Sequence, residues 1–234
     1  MMKGTIATLV ATAAICGLAM PAMASVVYSQ PGTTACSPSC WTSSLDASNA
    51  GFASADNFTL GSGATVGSAS WQGIYIGGGS TPSAPTTLSW LIGLFDDNSG
   101  APGTLLGFET PSAANVTTTL IGSGFFASEP VNLYSFSYVF TTPVALAAGT
   151  YWFAPISQAV NFSPFFSWSP ATTDVDNFTY QSDSNLNVYQ RPNDRAFTLY
   201  SAAVPEPASW ALMIGGFALA GATLRRRSVR LITA

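Results

Sequence analysis

The heptapeptide YSFSYVF, residues 134–140, alternates large aromatic side chains with smaller ones at a period of two. Such alternation places the aromatic residues on one face of a strand and the smaller residues on the other. The octapeptide LSWLIGLF, residues 88–95, alternates in the same way through Leu88, Trp90, Ile92 and Leu94. Similar short runs recur up to residue 200, between turns rich in Gly, Pro, Ser and Asn. We therefore predict an all-β fold for residues 25–204, a β-sandwich of the jelly-roll or immunoglobulin-like type.

The first 24 residues have the three parts of a secretory signal peptide. Lys3 supplies a basic start, and residues 6–20 form an apolar run. Ala22-Met23-Ala24 then offers the small residues that signal peptidase accepts before its cut. We predict that residues 1–24 are a signal peptide and that signal peptidase releases an exported chain.

The C-terminal region contains a second apolar segment. Residues 208–224 carry no charge, and Arg225, Arg226 and Arg227 follow at once. As a helix, these 17 residues would span about 25 Å, close to the ~30 Å hydrocarbon core of a bilayer. An arginine at the bilayer centre costs roughly 2.5–3.5 kcal/mol, so the cluster would stay cytoplasmic. We predict one transmembrane helix at 208–224, stopped by the arginines.

The tripeptide Pro205-Glu206-Pro207, the apolar segment and the arginine cluster together resemble the PEP-CTERM sorting signal, which we place at 205–230. The resemblance implies processing by exosortase, a membrane-embedded cysteine peptidase, in a Gram-negative bacterium that makes exopolysaccharide. It also implies an exported protein that is held transiently in the inner membrane by its C-terminal helix and then reaches the cell envelope or the extracellular space. The two prolines favour an extended chain, which a peptidase groove can bind.

The composition of residues 25–204 excludes several kinds of partner and reaction. Ten acidic residues oppose two arginines, Arg191 and Arg195, so the net charge is two minus ten, or −8. Without a basic stripe, nucleic acid is not an expected partner. The chain has no histidine and no Gly-x-Ser-x-Gly elbow. A paired-carboxylate glycosidase is the enzyme class that composition leaves open, with Glu109, Glu129 and the aspartates as candidates. Because these acids stand in turns beside Gly, Asn and Ser, we predict no enzyme and no cofactor.

Cys36 and Cys40, in ACSPSCW, are the two cysteines that remain after removal of the signal peptide. Export to an oxidising compartment favours a disulfide between them. The alternative is a pair of free thiols in a mobile segment. Two thiols without histidine are too few for a metal site.

Calcium is the metal that the sequence favours most, although we predict no metal site. In FDDNSGAPG, residues 95–103, Asp96, Asn98 and Gly100 have the opening spacing of a calcium loop, but the distal Glu is missing. A polar hairpin tip is the favoured interpretation. The segment DVDNFTYQSDSN, residues 174–185, supplies further aspartates.

The tetrapeptide DNFT occurs twice, at Asp56–Thr59 and at Asp176–Thr179. Asp and Asn bond to their own following backbone at turns, so the favoured interpretation is a shared turn device.

Aromatic residues raise the question of sugar binding. Most of them fall at alternating apolar positions, which is typical of core residues. Trp168, in SPFFSWSP between Pro164 and Pro170, is the residue that we expect to be exposed, on a loop or a short edge strand. We consider it a candidate sugar contact.

The sequence thus predicts an exported, non-enzymatic protein of the envelope or extracellular matrix. Its role would be structural or adhesive in exopolysaccharide or biofilm. A carbohydrate-binding module for matrix polysaccharide is the alternative, and a glycosidase-like enzyme is the third hypothesis.

Overall fold

A computed structural model describes residues 24–32, 39–77, 82–161, 163–173, 175–202 and 213–221. The predicted signal peptide, residues 1–24, lies outside them apart from Ala24. Ala24–Ala203 form one compact unit, and Met1–Met23 with Val204–Ala234 form a second. All the strands belong to the first unit, and the described part of the second is a helix at 213–221.

Within the described residues, fourteen strands form two sheets of seven. The strands are β1 (Val26–Gln30), β2 (Trp41–Thr42), β3 (Ser44–Leu45), β4 (Gly51–Leu60), β5 (Ala64–Ile76), β6 (Ser89–Asp97), β7 (Pro102–Glu109), β8 (Thr117–Phe126), β9 (Glu129–Leu146), β10 (Gly149–Gln158), β11 (Phe165–Trp168), β12 (Thr179–Asp183), β13 (Val188–Arg191) and β14 (Phe197–Ser201). A single 3₁₀ turn, Ala113–Asn115, precedes β8. The all-β prediction is confirmed.

The first sheet is organised around the long strand β5. On one side β5 pairs with β14 and β11, which continue to β1 and β2. On the other side it pairs with β9, and β8 follows β9 at the edge. The second sheet has the order β13-β12-β4-β3-β10-β6-β7, and β4 also pairs directly with β10. All pairs between strands are antiparallel except β3 with β10.

Aromatic side chains from both sheets form the main core between them. The Trp71 ring of the first sheet lies 4.9 Å from the Trp90 ring of the second, measured between centroids. Trp90 also contacts Phe136 at 4.9 Å, and Phe153 contacts Phe197 at 5.1 Å. Each such pair contributes roughly 0.5–1.5 kcal/mol beyond its buried area, so these contacts join the two sheets as a sandwich.

The period-two pattern located these core positions with two exceptions, Tyr134, which is only partly buried, and Leu88. In YSFSYVF, Phe136, Tyr138 and Phe140 are buried, and Val139 on the opposite face is 74% exposed. In LSWLIGLF, Trp90, Ile92 and Leu94 are buried as expected. Leu88 is 57% exposed, because β6 begins one residue later, at Ser89.

Gly73 lies where β5 is flanked on both sides, by β9 and by β11. An alanine Cβ at this position would come within 2.2 Å of Phe166 Cε2 and 2.5 Å of the Ser167 carbonyl oxygen. We expect Gly73→Ala to lower the free energy of unfolding by roughly 1–3 kcal/mol, the usual cost of an overpacked core. Equilibrium urea unfolding of Ala24–Ala203 measures it.

Gly122→Ala is the matched control, since Gly122 also lies in a strand but has nothing within 4 Å of the added Cβ. We expect it to leave stability unchanged or to raise it by up to about 1 kcal/mol, because alanine restricts the unfolded chain. Equal losses in the two variants would contradict the close approach of strands at Gly73.

Candidate functional site

The two ends of the sandwich meet at a pair of serines, Ser25 and Ser201. The Ser25 amide donates to Ser201 Oγ at 3.0 Å, and the Ser201 amide donates to the Ser25 carbonyl at 2.8 Å. The predicted signal-peptidase cut, after Ala24, is therefore adjacent to this pair. The chain leaves its last strand at the same end of the sandwich.

The segment after β14 carries the predicted sorting residues, which lie outside the described residues: Pro205, Glu206, Pro207, Arg225, Arg226 and Arg227. The helix at 213–221 is exposed along its whole length. Its nine residues extend about 13 Å. Among the described helices, none combines the length and the apolar character needed to cross a bilayer. The membrane span at 208–224 stays a prediction.

Residues 203–227 match the PEP-CTERM protein-sorting motif. The matched segment, called the PEP-CTERM tail below, starts two residues after β14 ends and includes the Pro-Glu-Pro tripeptide and three arginines. The resemblance recognised in the sequence is thus confirmed. This motif implies an exported protein that is anchored transiently in the membrane and processed by an exosortase. No curated protein and no solved structure matches the chain.

The aromatic residues that the sequence offers for sugar binding are Trp71, Tyr75, Trp90, Trp152, Phe165, Phe166 and Trp168, and all but one of them are buried. Those no more than 1% exposed are Trp71, Tyr75, Trp90, Trp152, Phe166 and Trp168. The prediction of an exposed sugar contact at Trp168 is wrong, because β11 lies inside the first sheet between β5 and β2. The Trp168 Nε1 donates to the Ala196 carbonyl at 2.9 Å within the core. Phe165 is partly exposed.

The acids of the β6–β7 hairpin accept hydrogen bonds from the hairpin and from the neighbouring strand β10. Asp96 Oδ1 accepts the Thr104 amide, and Asp97 Oδ1 accepts the Trp152 Nε1 proton at 2.9 Å. The Asn98 amide donates to the Ala101 carbonyl at 2.8 Å and closes the turn. Across the described ranges, no three His, Cys, Asp or Glu side chains are placed to hold a metal ion. Asp174 lies outside those ranges.

Glu109 lines a cleft of about 510 Å³ between β7 and β9 and is the one acidic residue among the described residues of its wall. Its carboxylate accepts the Tyr138 hydroxyl at 2.5 Å and the amides of Thr141 and Thr142 at 3.1 and 2.9 Å. These amides lie where the register between β5 and β9 shifts. Partial burial opposes ionisation, but the donated hydrogen bonds outweigh it and lower the pKa of Glu109. A glycosidase needs two facing carboxyl groups, whereas Glu109 acts here as a structural acceptor.

Cys40 belongs to a second cluster of buried residues, with Ile74, Val131 and Leu133. Cys40 is disulfide-bonded. Its predicted partner, Cys36, lies outside the described residues, so the pairing stays a prediction.

Both arginines of the sandwich are engaged with the protein. Arg191 stacks over the rings of Trp41 and Tyr189 at 4.7 and 4.8 Å, and its Nε donates to Gln181 at 2.9 Å. Arg195 is completely buried. Its guanidinium donates to four backbone carbonyls and one hydroxyl: those of Ser39, Trp168, Pro192 and Asn193, and Thr179 Oγ1.

The two DNFT copies come together beside Arg195. In the pairing of β4 with β12, Asp56 lies opposite Thr179, and the side-chain Nδ2 of Asn57 donates to Asp176 Oδ2. Asp194 accepts the backbone amides of Val175, just before the second copy, and of Asp176 and Phe178 within it. The sequence indicated this site only through the repeated tetrapeptide. Its interpretation as a shared turn device is wrong for the first copy, which lies within β4, and it missed the contact between the copies.

Asp56 is a buried carboxyl group with an incomplete set of partners. Its Oδ2 accepts the Arg195 amide at 2.6 Å, but its Oδ1 has no hydrogen-bond partner in the described structure. Burial first, and then the nearby charges of Asp194 and Asp176, raise its pKa well above the ordinary value. Burial and a side-chain hydrogen bond with Asp194 also raise the pKa of Asp176. The folded protein therefore holds protons that the unfolded chain would release.

This excess of bound protons makes the sandwich less stable as the pH rises. A carboxyl group whose pKa is raised by folding contributes its full stabilisation below the pKa that it has in the unfolded chain, about 4. This stabilisation is lost as the pH rises through the higher pKa of the folded protein. We expect the free energy of unfolding to fall as pH increases from about 5 to about 8. Asp56→Asn should flatten this dependence, because an amide does not titrate.

Asp183→Asn is the control. In the wild-type protein, hydrogen bonds lower the pKa of Asp183, and the bond from the Asn187 side chain has the largest effect. The stabilisation that Asp183 contributes is therefore lost at acidic pH. The slope between pH 5 and 8 should thus persist in Asp183→Asn. Urea unfolding across this range measures both variants, and an unchanged slope in Asp56→Asn would contradict the assignment.

Proposed function

We propose that the protein is a non-enzymatic structural or adhesive component of an exopolysaccharide matrix or cell envelope. The observation that carries the proposal is the PEP-CTERM tail, which begins two residues after the last strand of the sandwich. The sandwich is therefore the part of this chain that sorting delivers. The tail directs the chain to the envelope or matrix, and the sandwich is the part that remains there.

The engagement of charged side chains within the sandwich supports a role without catalysis. Glu109 caps backbone amides, Asp97 accepts the Gly100 amide of its own turn and the Trp152 indole, and Asp194 orders the turn before β12. Arg195 donates to backbone carbonyls throughout its guanidinium group. Such groups stabilise the fold, and a catalytic acid would instead face substrate.

Processing at the tail has a matched test, because the chain contains a second Glu-Pro pair. Glu206→Ala with Pro207→Ala alters the tail, and Glu129→Ala with Pro130→Ala alters an exposed pair at the start of β9. We expect the tail variant to accumulate in the inner membrane with its tail still attached, since its recognition strand is lost. The β9 variant should be sorted like the wild type. Immunoblots of membrane, envelope and matrix fractions distinguish them.

The matrix role itself is tested on the polysaccharide. A producing strain without the protein should form a matrix that disperses at lower shear, and the wild-type chain should restore it. Purified polysaccharide incubated with the Ala24–Ala203 unit should keep its length distribution on size-exclusion chromatography. A shortened polysaccharide would contradict the non-enzymatic proposal, and unchanged shear resistance would contradict the structural role.

A further inference from the structure

The strand β8 leaves one edge of the first sheet open. It pairs with β9 on one side, and none of the described residues pairs with its other side. All ten of its residues are at least partly exposed. A strand of this length extends about 34 Å, which makes it a long template for a further strand.

The sequence of β8, TTTLIGSGFF, lacks the features that normally protect an edge. It has no charge and no proline, although a register shift at Ile121 interrupts its pairing with β9. The opposite edge of the other sheet, β13, is four residues long and ends in Arg191. The edge strand β7 begins with Pro102, ends in Glu109 and has two register shifts. Charges, proline, bulges and short length all discourage association between edges.

Apolar side chains are uncovered along this edge. Leu120 lies opposite Tyr134, whose ring packs against the main core, so Leu120 continues the core-facing side of the sheet. Leu120 is nevertheless 58% exposed, Ile121 is 46% exposed and Phe125 is 63% exposed. The apolar face of the first sheet thus extends beyond the part that the second sheet covers.

Charge favours a second copy of this chain as the partner. The sandwich region has a net charge of −8, so two copies repel each other over most of their surfaces. Between Glu109 and Asp174, however, Glu129 is the single charged residue. This stretch contains β8 and β9. Two identical uncharged strands can approach without like-charge repulsion, and a charged foreign partner would find no complementary group on β8.

We propose that β8 is a self-association edge, at which two copies of the chain pair antiparallel about a twofold axis. The first sheets of both copies then continue into one another, with Leu120 of each copy close to the axis near the middle of the strand. Such a contact uses the same surface on both copies and therefore closes at the dimer. The pairing goes beyond the proposed matrix role and does not depend on it.

The size of the contact sets its strength. A standard interface uses roughly 20–30 residues on each side, whereas β8 offers ten. We therefore expect a weak dimer that forms at high local concentration. Chains crowded in a matrix or on one membrane provide such a concentration.

The Ala24–Ala203 unit is suitable for the test, because it contains both sheets and all three clusters of buried residues. Sedimentation equilibrium from about 1 µM to about 1 mM should show an average mass that rises towards twice the monomer mass. Leu120→Lys should weaken the dimer at least about tenfold, because two ammonium groups would meet near the axis. Phe125→Lys, at a 63% exposed position, is a second edge variant.

Leu88→Lys is the matched control, since Leu88 is 57% exposed and lies outside β8. It introduces the same charge and should dimerise like the wild type. A wild type that stays monomeric throughout, growth beyond the dimer, or equal dimerisation of the wild type and both edge variants would overturn the proposal. Equal weakening by Leu88→Lys would also overturn it. Matrix retention is measured separately, so a monomer that still reaches the matrix leaves the proposed function standing.

Discussion

The buried guanidinium of Arg195 is the polar contact on which the packing of the two sheets depends. It donates to the Trp168 carbonyl of the first sheet and to Thr179 Oγ1 of the second. Its own backbone amide donates to Asp56, on a central strand of the second sheet. A buried charge is tolerated only when hydrogen bonds satisfy it, and each carbonyl left without a donor costs roughly 1–3 kcal/mol. Arg195 therefore fixes which strands of the two sheets face each other at this end of the sandwich.

Local patterns in the sequence were sufficient to predict most of the strands and much of the core. The alternation around Phe136 and Trp90 predicted buried residues, because a strand with one covered face can be recognised from the period-two pattern of its own side chains. The burial of Trp168 was not predictable in this way. Its strand is four residues long and stands between prolines, and it becomes internal through pairing with the two-residue strand β2, more than 120 positions earlier. Only the tertiary fold contains that information.

The residues of the candidate site also fall into those that the sequence predicted and those that only the fold brought together. The PEP-CTERM tail is a linear signal, in which a tripeptide, an apolar run and an arginine cluster follow one another, so the sequence contained all of it. The acid cluster at Asp56 depends on the meeting of two distant tetrapeptides and on burial that no local pattern encodes. For the same reason the open edge at β8 became visible only once its neighbour on one side was known.

We propose above all that the C-terminal segment is a sorting signal that is removed, and that the sandwich is the mature product. Intact-mass spectrometry of the protein recovered outside the producing cell tests it most directly. We predict a chain that begins at Ser25, ends near Pro205-Glu206-Pro207 and is two hydrogens lighter through one disulfide. A secreted, water-soluble chain that still contained Trp210 through Arg227 would contradict the account.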